Sequence, residues 1–170
     1  IQFTALGGAD KVTVHDLTGT EITRVGIDLA GTVGGATGDG AVDAVTVEGT
    51  AGLDKISLSS AGAAIGVGGL QETVSLQHAE ATDLLTIDAG AGDDVINAAA
   101  VAAGKISLTL SGGTGNDKLV GSAGTDTFLG GAGADRFQFN LASDSAAGPK
   151  ADKIADFSHA EGDRIDLAAI

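Results

Sequence analysis

Cysteine, methionine, tryptophan and tyrosine are all missing from this 170-residue sequence, and proline occurs once, at Pro149. Without cysteine there are no disulfides and no thiolate metal sites. The fold must be held by hydrogen bonding, narrow apolar packing or a hard metal ion. Basic residues are also scarce: nine Lys and Arg stand scattered against 23 Asp and Glu, for a net charge of −14. Such a balance argues against nucleic acid or an anionic membrane surface as partner, and it invites cations. No apolar run approaches the roughly 20 residues that a membrane-spanning helix needs, so membrane insertion is not expected. The chain begins at Ile1 without a basic and apolar leader, and it reads as a segment of a larger protein.

Glycine, by contrast, is abundant at 28 residues, and 43% of the chain is hydrophobic. Glycine alone at that level would suggest disorder. Combined with so many apolar residues and one proline, it points to many short strands joined by tight turns.

An Asp followed by alternating apolar positions recurs along the chain: DKVTV from Asp10, DAVTV from Asp43, DKISL from Asp54, DLLTI from Asp83 and DRIDL from Asp163. ETVSL from Glu72 is a near copy, and DDVIN from Asp94 and KISLTL from Lys105 are looser ones. Period-two alternation predicts that each is a short strand with one face inward. Six of the nine basic residues (Lys11, Lys55, Lys118, Arg136, Lys153 and Arg164) directly follow an Asp and directly precede an apolar residue. Period two puts them on the outer face. No long helix is visible; the Ala-rich stretch 95–104 is expected to be a short helical or bulged insertion. Three parts follow: a strand ladder over 1–110, tight repeats over 111–140 and a closing segment over 141–170. The ladder could instead fold as a separate antiparallel sandwich.

The tight repeats are GGTGNDKLV, GSAGTDTFL and GGAGADRFQ, residues 112–138, with an Asp every nine residues at Asp117, Asp126 and Asp135. The first six residues of each block have turn chemistry, and the last three make a minimal strand. Two repeats, 18 residues, then complete one flattened coil and bring the chain back about 4.7–4.9 Å further along. This places Asp117 beside Asp135 and Asp126 beside Asp144. Two carboxylates about 5 Å apart at an effective dielectric near 20 repel by about 3 kcal/mol. A hard divalent ion bound through carboxylate and carbonyl oxygens relieves that repulsion, and calcium's tolerance of six to eight oxygens suits it better than magnesium's strict octahedron.

These blocks resemble GGxGxDxUx, the calcium-binding nonapeptide of RTX proteins. The first and third match fully, and the middle one has Ser122 in place of the second Gly. A partial copy, AGAGDDVI, ends 23 residues earlier, with Gly90, Gly92, Asp94 and Ile96 in register; its Asp94 lies off the 18-residue step. The stretch after the repeats, with Asp152, Ile154, Asp156, Phe157, Asp163, Ile165, Asp166 and Leu167, is similar to the segment that follows the repeats in serralysin-type metalloproteases and in alginate-epimerase R-modules. The resemblance implies an all-β fold, a right-handed parallel β-roll or β-solenoid with Ca2+ in its Gly-rich turns and a C-terminal cap. It implies calcium ligation by Asp117, Asp126 and Asp135, with main-chain oxygens from the turns of Gly113, Gly115, Gly124, Gly131 and Gly133. Asp94 and Asp144 are further candidates, and Asp156 one at the closing end. It also implies secretion to the bacterial exterior by type I machinery, and partnership with other domains of a parent protein.

Four of the five Phe, at 128, 137, 139 and 157, fall near the C-terminus. Phe137, Phe139 and Phe157 are expected to plug the open end of the stack. His15, His78 and His159 lie far apart, and HExxH, GxSxG and Walker patterns are absent, so no enzyme chemistry is expected of the chain. The second reading is a carbohydrate-binding module that holds an acidic polysaccharide on outward Lys and Arg. A basic stripe on the surface would favour it.

Overall fold

The computed structural model of the chain describes residues 1–145, 148 and 151–167. Parts of the predicted closing segment, at 146–147, 149–150 and 168–170, lie outside the described residues. The strands in chain order are β1 (Gln2–Thr4), β2 (Lys11–Val14), β3 (Arg24–Asp28), β4 (Ala44–Glu48), β5 (Lys55–Ala61), β6 (Ala64–Gly68), β7 (Thr73–Gln77), β8 (Leu84–Asp88), β9 (Val95–Ala100), β10 (Ser107–Thr114), β11 (Lys118–Val120), β12 (Asp126–Ala132), β13 (Arg136–Gln138), β14 (Lys153–Ile154) and β15 (Arg164–Asp166). There is no α-helix among the described residues. Each of the eight Asp-led or similar segments singled out by alternation contains one of these strands.

They form two sheets, one of nine strands in the order β1-β3-β7-β6-β5-β9-β11-β13-β15 and one of six in the order β14-β12-β10-β8-β4-β2. From β8 onward the chain alternates strictly between the sheets, and every pairing there is parallel. In the repeats the pairing step is the expected 18 residues, with Lys118 opposite Arg136 and Leu108 opposite Asp126. One coil earlier it lengthens: Val95 pairs with Lys118, a step of 23. The five extra residues (23 − 18) are absorbed between β9 and β10, so Asp94 stands in register after all. The stretch 95–104 is thus a strand followed by a turn, and a register shift against β5, where Ser57 pairs with Asn97 but Ser59 with Ala100, marks the bulge.

Among the described residues, antiparallel pairing is confined to β5-β6-β7 and an isolated bridge between Ala30 and Gly38. Ala61 pairs with Ala64 across the two-residue turn Gly62-Ala63, where Gly62 has φ 61°, the left-handed conformation that two-residue hairpins need. The remaining strands of the first 110 residues pair in parallel, within the same two sheets as the repeats.

Inward residues stack in rows along the sheets. Val14, Val47, Ile87, Leu110 and Phe128 make one row, and Ile56, Ile96, Leu119 and Phe137 face it from the other sheet, all of them buried. The rows end in aromatics. Phe128 packs edge-on against Phe137 and Phe139, with ring centroids 6.0 and 5.7 Å apart, and Phe137 touches Phe157 at 6.2 Å. The plug therefore includes Phe128 as well as the three expected residues, and its outermost member, Phe157, stays 44% exposed.

Replacing Phe137 by Ala, which removes a fully buried ring, is expected to cost about 3–5 kcal/mol. Phe157→Ala should cost clearly less. Denaturant unfolding of both variants in calcium measures the difference, and equal losses would show that burial at the closing end does not set its stability.

Candidate metal centre

Strand-opening Asp residues are tied to one another by a repeated hydrogen bond. The main-chain N–H of Asp54 donates to Oδ1 of Asp94 (2.7 Å), that of Asp94 to Asp117 (2.7 Å), that of Asp117 to Asp135 (2.9 Å) and that of Asp135 to Asp163 (3.0 Å). Along the six-stranded sheet the same bond joins Asp10 to Asp43 (2.8 Å), Asp43 to Asp83 (3.1 Å) and Asp126 to Asp152 (2.9 Å). Each bond fixes one carboxylate oxygen and orients the other.

The fate of the second oxygen divides these residues. Oδ2 of Asp54, Asp83, Asp126 and Asp163 accepts a main-chain N–H from Thr50, Glu80, Ser122 and Ser158 respectively, at 2.6–2.7 Å. Oδ2 of Asp94, Asp117 and Asp135 is buried and accepts no hydrogen bond, and these three residues are each 1% exposed. A buried carboxylate oxygen without a donor is costly unless a cation meets it.

The glycine-rich turns stack beside these oxygens. Gly113 and Gly131 have φ of 103° and 96°, a region in which a side chain is strained. A Cβ on Gly131 would also fall on the carbonyl oxygen of Gly113, and one on Gly113 on that of Gly90. A second column runs the same way through Gly92, Gly115 and Gly133. Carboxylate and main-chain carbonyl oxygens are hard donors of the kind calcium takes, so the residues present fit that ion. Among the described residues no three acidic or histidine side chains converge on one point. A site here combines side-chain oxygens with main-chain ones.

The remaining expected residues fall differently. Asp126 has both oxygens occupied, because the hydroxyl of Ser122 donates to its Oδ1 at 2.9 Å. Gly124 does not have positive φ, and its N–H donates to Ser122 Oγ at 2.9 Å. Asp144 is not the register partner of Asp126: its Oδ2 accepts the N–H groups of Asn140 and Leu141, both at 2.9 Å, and Asp152 takes the partner's place. The chain leaves the 18-residue step after β13, with Thr127 pairing with Lys153 at a step of 26. Asp156 accepts the N–H groups of Gly130 (3.0 Å) and Gly131 (2.9 Å) and so ties the closing segment to the last glycine-rich turn. Asp152, whose own Oδ2 is unpartnered, is not among the ligands that the sequence predicts. The Asp-Lys-apolar triplet that it shares with Asp117 marks its place in the ladder.

Burial holds Asp117 well above the ordinary carboxylate value of 3.8, at about 6, against the lowering effect of the hydrogen bond from Asp94, with Asp135 and Asp94 adding repulsion. Asp94, Asp126 and Asp135 are raised too, burial being the main cause in each. Asp152 is likewise pushed to about 6 by burial, with Asp126 and Asp144 contributing.

At Asp94, Asp117 and Asp135 no described basic residue meets the free oxygen. Lys55, Lys118, Arg136 and Arg164 lie in one register row of the nine-stranded sheet, with Val95 between the first two, and the Arg136 guanidinium lies 3.7 Å from Asp166. His15 and His78 pair with Glu48 (2.8 Å) and Asp28 (2.7 Å), far from the glycine-rich turns in sequence.

Stacked parallel strands, buried carboxylate oxygens and columns of main-chain carbonyls define a repeat protein built to take a hard cation in its turns. The family model of the RTX calcium-binding nonapeptide repeat matches residues 86–100 and 109–137 in four copies, and the chain carries these repeats. RTX nonapeptide repeats bind Ca2+. No curated protein matches the chain in sequence.

These carboxylates give a pH dependence with a definite sign. A folded-state value of about 6 for Asp117 and Asp152, above the ordinary 3.8, means that the folded chain keeps protons the unfolded chain has lost. Without calcium, stability should therefore be full near pH 4, fall as pH rises toward 6 and stay low above it. Denaturant midpoints or β-signal measured in chelator between pH 4 and 7 check this. Asp117→Asn should flatten part of the slope, and a chelated wild-type chain that gains stability as pH rises from 4 to 6 would contradict it.

Proposed function

We propose that the chain is a calcium-dependent folding module, a right-handed parallel β-roll or β-solenoid that acts as a structural part of a larger protein rather than as an enzyme. The observation that carries the reading is the set of three buried carboxylate oxygens, on Asp94, Asp117 and Asp135, left without a donor beside stacked glycine-rich turns. Calcium supplies the missing positive charge and accepts carbonyl oxygens from the turns of Gly113, Gly115, Gly131 and Gly133. In this reading residues 111–140 form the calcium-binding roll, 1–110 the ladder that extends it and 141–170 the cap.

At a site Kd of about 10⁻⁴–10⁻³ M, millimolar calcium contributes about 1 kcal/mol per site. Several sites along one stack add up to a switch between calcium-poor and calcium-rich surroundings. Family likeness supports export by type I machinery, unfolded where calcium is scarce, with folding completed in the bacterial exterior among the other domains of a parent protein. Among the described residues no helix is long and apolar enough to cross a membrane.

An acidic-polysaccharide partner is not favoured. The row of Lys and Arg on the nine-stranded sheet is the feature that would serve it. Arg136 in that row already faces Asp166, and a chain of net charge −14 repels a polyanion.

Far-UV circular dichroism during a calcium titration, with magnesium as control, tests the proposal. Calcium should produce a cooperative gain of β-signal that magnesium does not, and the double variant Asp117→Asn, Asp135→Asn should shift the midpoint to several-fold higher calcium. Full β-signal in chelator near pH 7, unchanged by the double variant, would overturn it.

A further inference from the structure

What stands four residues before a strand-opening Asp goes with the fate of its Oδ2 in the glycine-rich turns. Gly90, Gly113, Gly131 and Gly148, with φ of 95°, 103°, 96° and 81°, stand there before Asp94, Asp117, Asp135 and Asp152, and Oδ2 of each of these Asp is buried without a donor. Asp10, also with an unpartnered Oδ2, has Leu6 at that place and Gly7 and Gly8, at 94° and 98°, after it. Oδ2 of Asp54 and Asp126 takes its hydrogen bond from the residue at that same place, Thr50 and Ser122. Asp83 and Asp163 are served from other places, by Glu80 three residues before and Ser158 five before, the latter with Gly162 at φ 102° directly before the Asp.

The cause is steric. Glycine enters the left-handed region at little cost, whereas a residue with a Cβ avoids it. Thr50 and Ser122 occupy the place four before their Asp without positive φ, and their N–H groups meet Oδ2 at 2.7 and 2.6 Å. At Ser122 the closure is double, since its hydroxyl reaches Oδ1 as well. Asp126 otherwise keeps the relation to its turn that the open sites have: a Cβ on Gly121 would crowd its Oδ2, as one on Gly112 would crowd Oδ2 of Asp117 and one on Gly130 that of Asp135.

We propose that within the repeat turns the residue four places before the Asp decides whether the turn takes calcium, and that Ser122 closes the turn at Asp126, which otherwise carries the repeat pattern. Calcium then enters from the edge of Asp94, Asp117 and Asp135, and the Asp126 turn holds itself together without it. This rests on the calcium reading above and adds which of the repeats is occupied.

Native mass spectrometry of the 170-residue chain in calcium counts the ions directly. Asp135→Asn should lose at least one ion relative to wild type, Asp126→Asn should keep the wild-type count, and Ser122→Gly, which restores the repeat glycine, should gain one. Loss of an ion in Asp126→Asn, or no gain in Ser122→Gly, overturns the proposal. If Asp126→Asn fails to develop calcium-dependent β-signal, Ser122→Gly alone decides. A wild-type chain that holds no calcium overturns the functional reading itself, an outcome distinct from a changed count in either Asp126 or Ser122 variants.

Discussion

The structure depends on one hydrogen bond used over and over, from the main-chain N–H of an Asp to the carboxylate of the Asp one coil further on. In the nine-stranded sheet it runs unbroken from Asp54 through Asp94, Asp117 and Asp135 to Asp163. The bond solves a problem at the start of the strands that an Asp opens, where the N–H would otherwise lack a ladder partner. It also creates one. Carboxylates are drawn inward and set one above another, where burial and mutual repulsion both oppose their charge.

Two remedies for that buried charge coexist in the same chain. Where a residue with a side chain precedes the Asp, the backbone turns an N–H toward the free oxygen, as Thr50 does for Asp54 and Ser122 for Asp126. Where glycine precedes it, as at Gly90, Gly113 and Gly131, no N–H reaches that oxygen, and each glycine lies close against the carbonyl of the residue a coil before. The first remedy is permanent and needs nothing from solution. The second leaves a buried charge for which the chain supplies no donor at Asp94, Asp117 and Asp135.

Much of this could be read from sequence, because strand alternation and turn glycine are local signals. The strands at Asp10, Asp43, Asp54, Asp83 and Asp163 follow from period two alone, and the 18-residue coil follows from the nine-residue spacing. What spacing does not reveal is set by length changes between repeats. Asp94 lies five residues off the 18-residue step yet stands in register because the turn after β9 absorbs them, and Asp144 lies on that step yet is out of register because the loop after β13 is longer. The antiparallel β5-β6-β7 insertion hinges on the single turn Gly62-Ala63, which a search for parallel repeats passes over. Among the site residues, Asp126 matched the pattern at its sixth position, but the chemistry turned on its second, where Ser122 replaces glycine.

The chain does carry positive charges beside its buried carboxylates, and the reason they fail to neutralise them is geometric. Lys118 follows Asp117 and Arg136 follows Asp135, yet both Asp Oδ2 atoms are without a partner. Adjacent residues in a strand point to opposite faces. With Leu119 and Phe137 inward, the aspartates share their side and the basic residues are turned outward, where Arg136 meets Asp166 instead. Moving a base inward would put a long side chain into rows filled by Val, Ile, Leu and Phe. The alternation that builds the core therefore forbids the chain from supplying its own counter-ion at these turns, and a small ion from solution, held by oxygens the turns already present, is the remedy that leaves the packing intact.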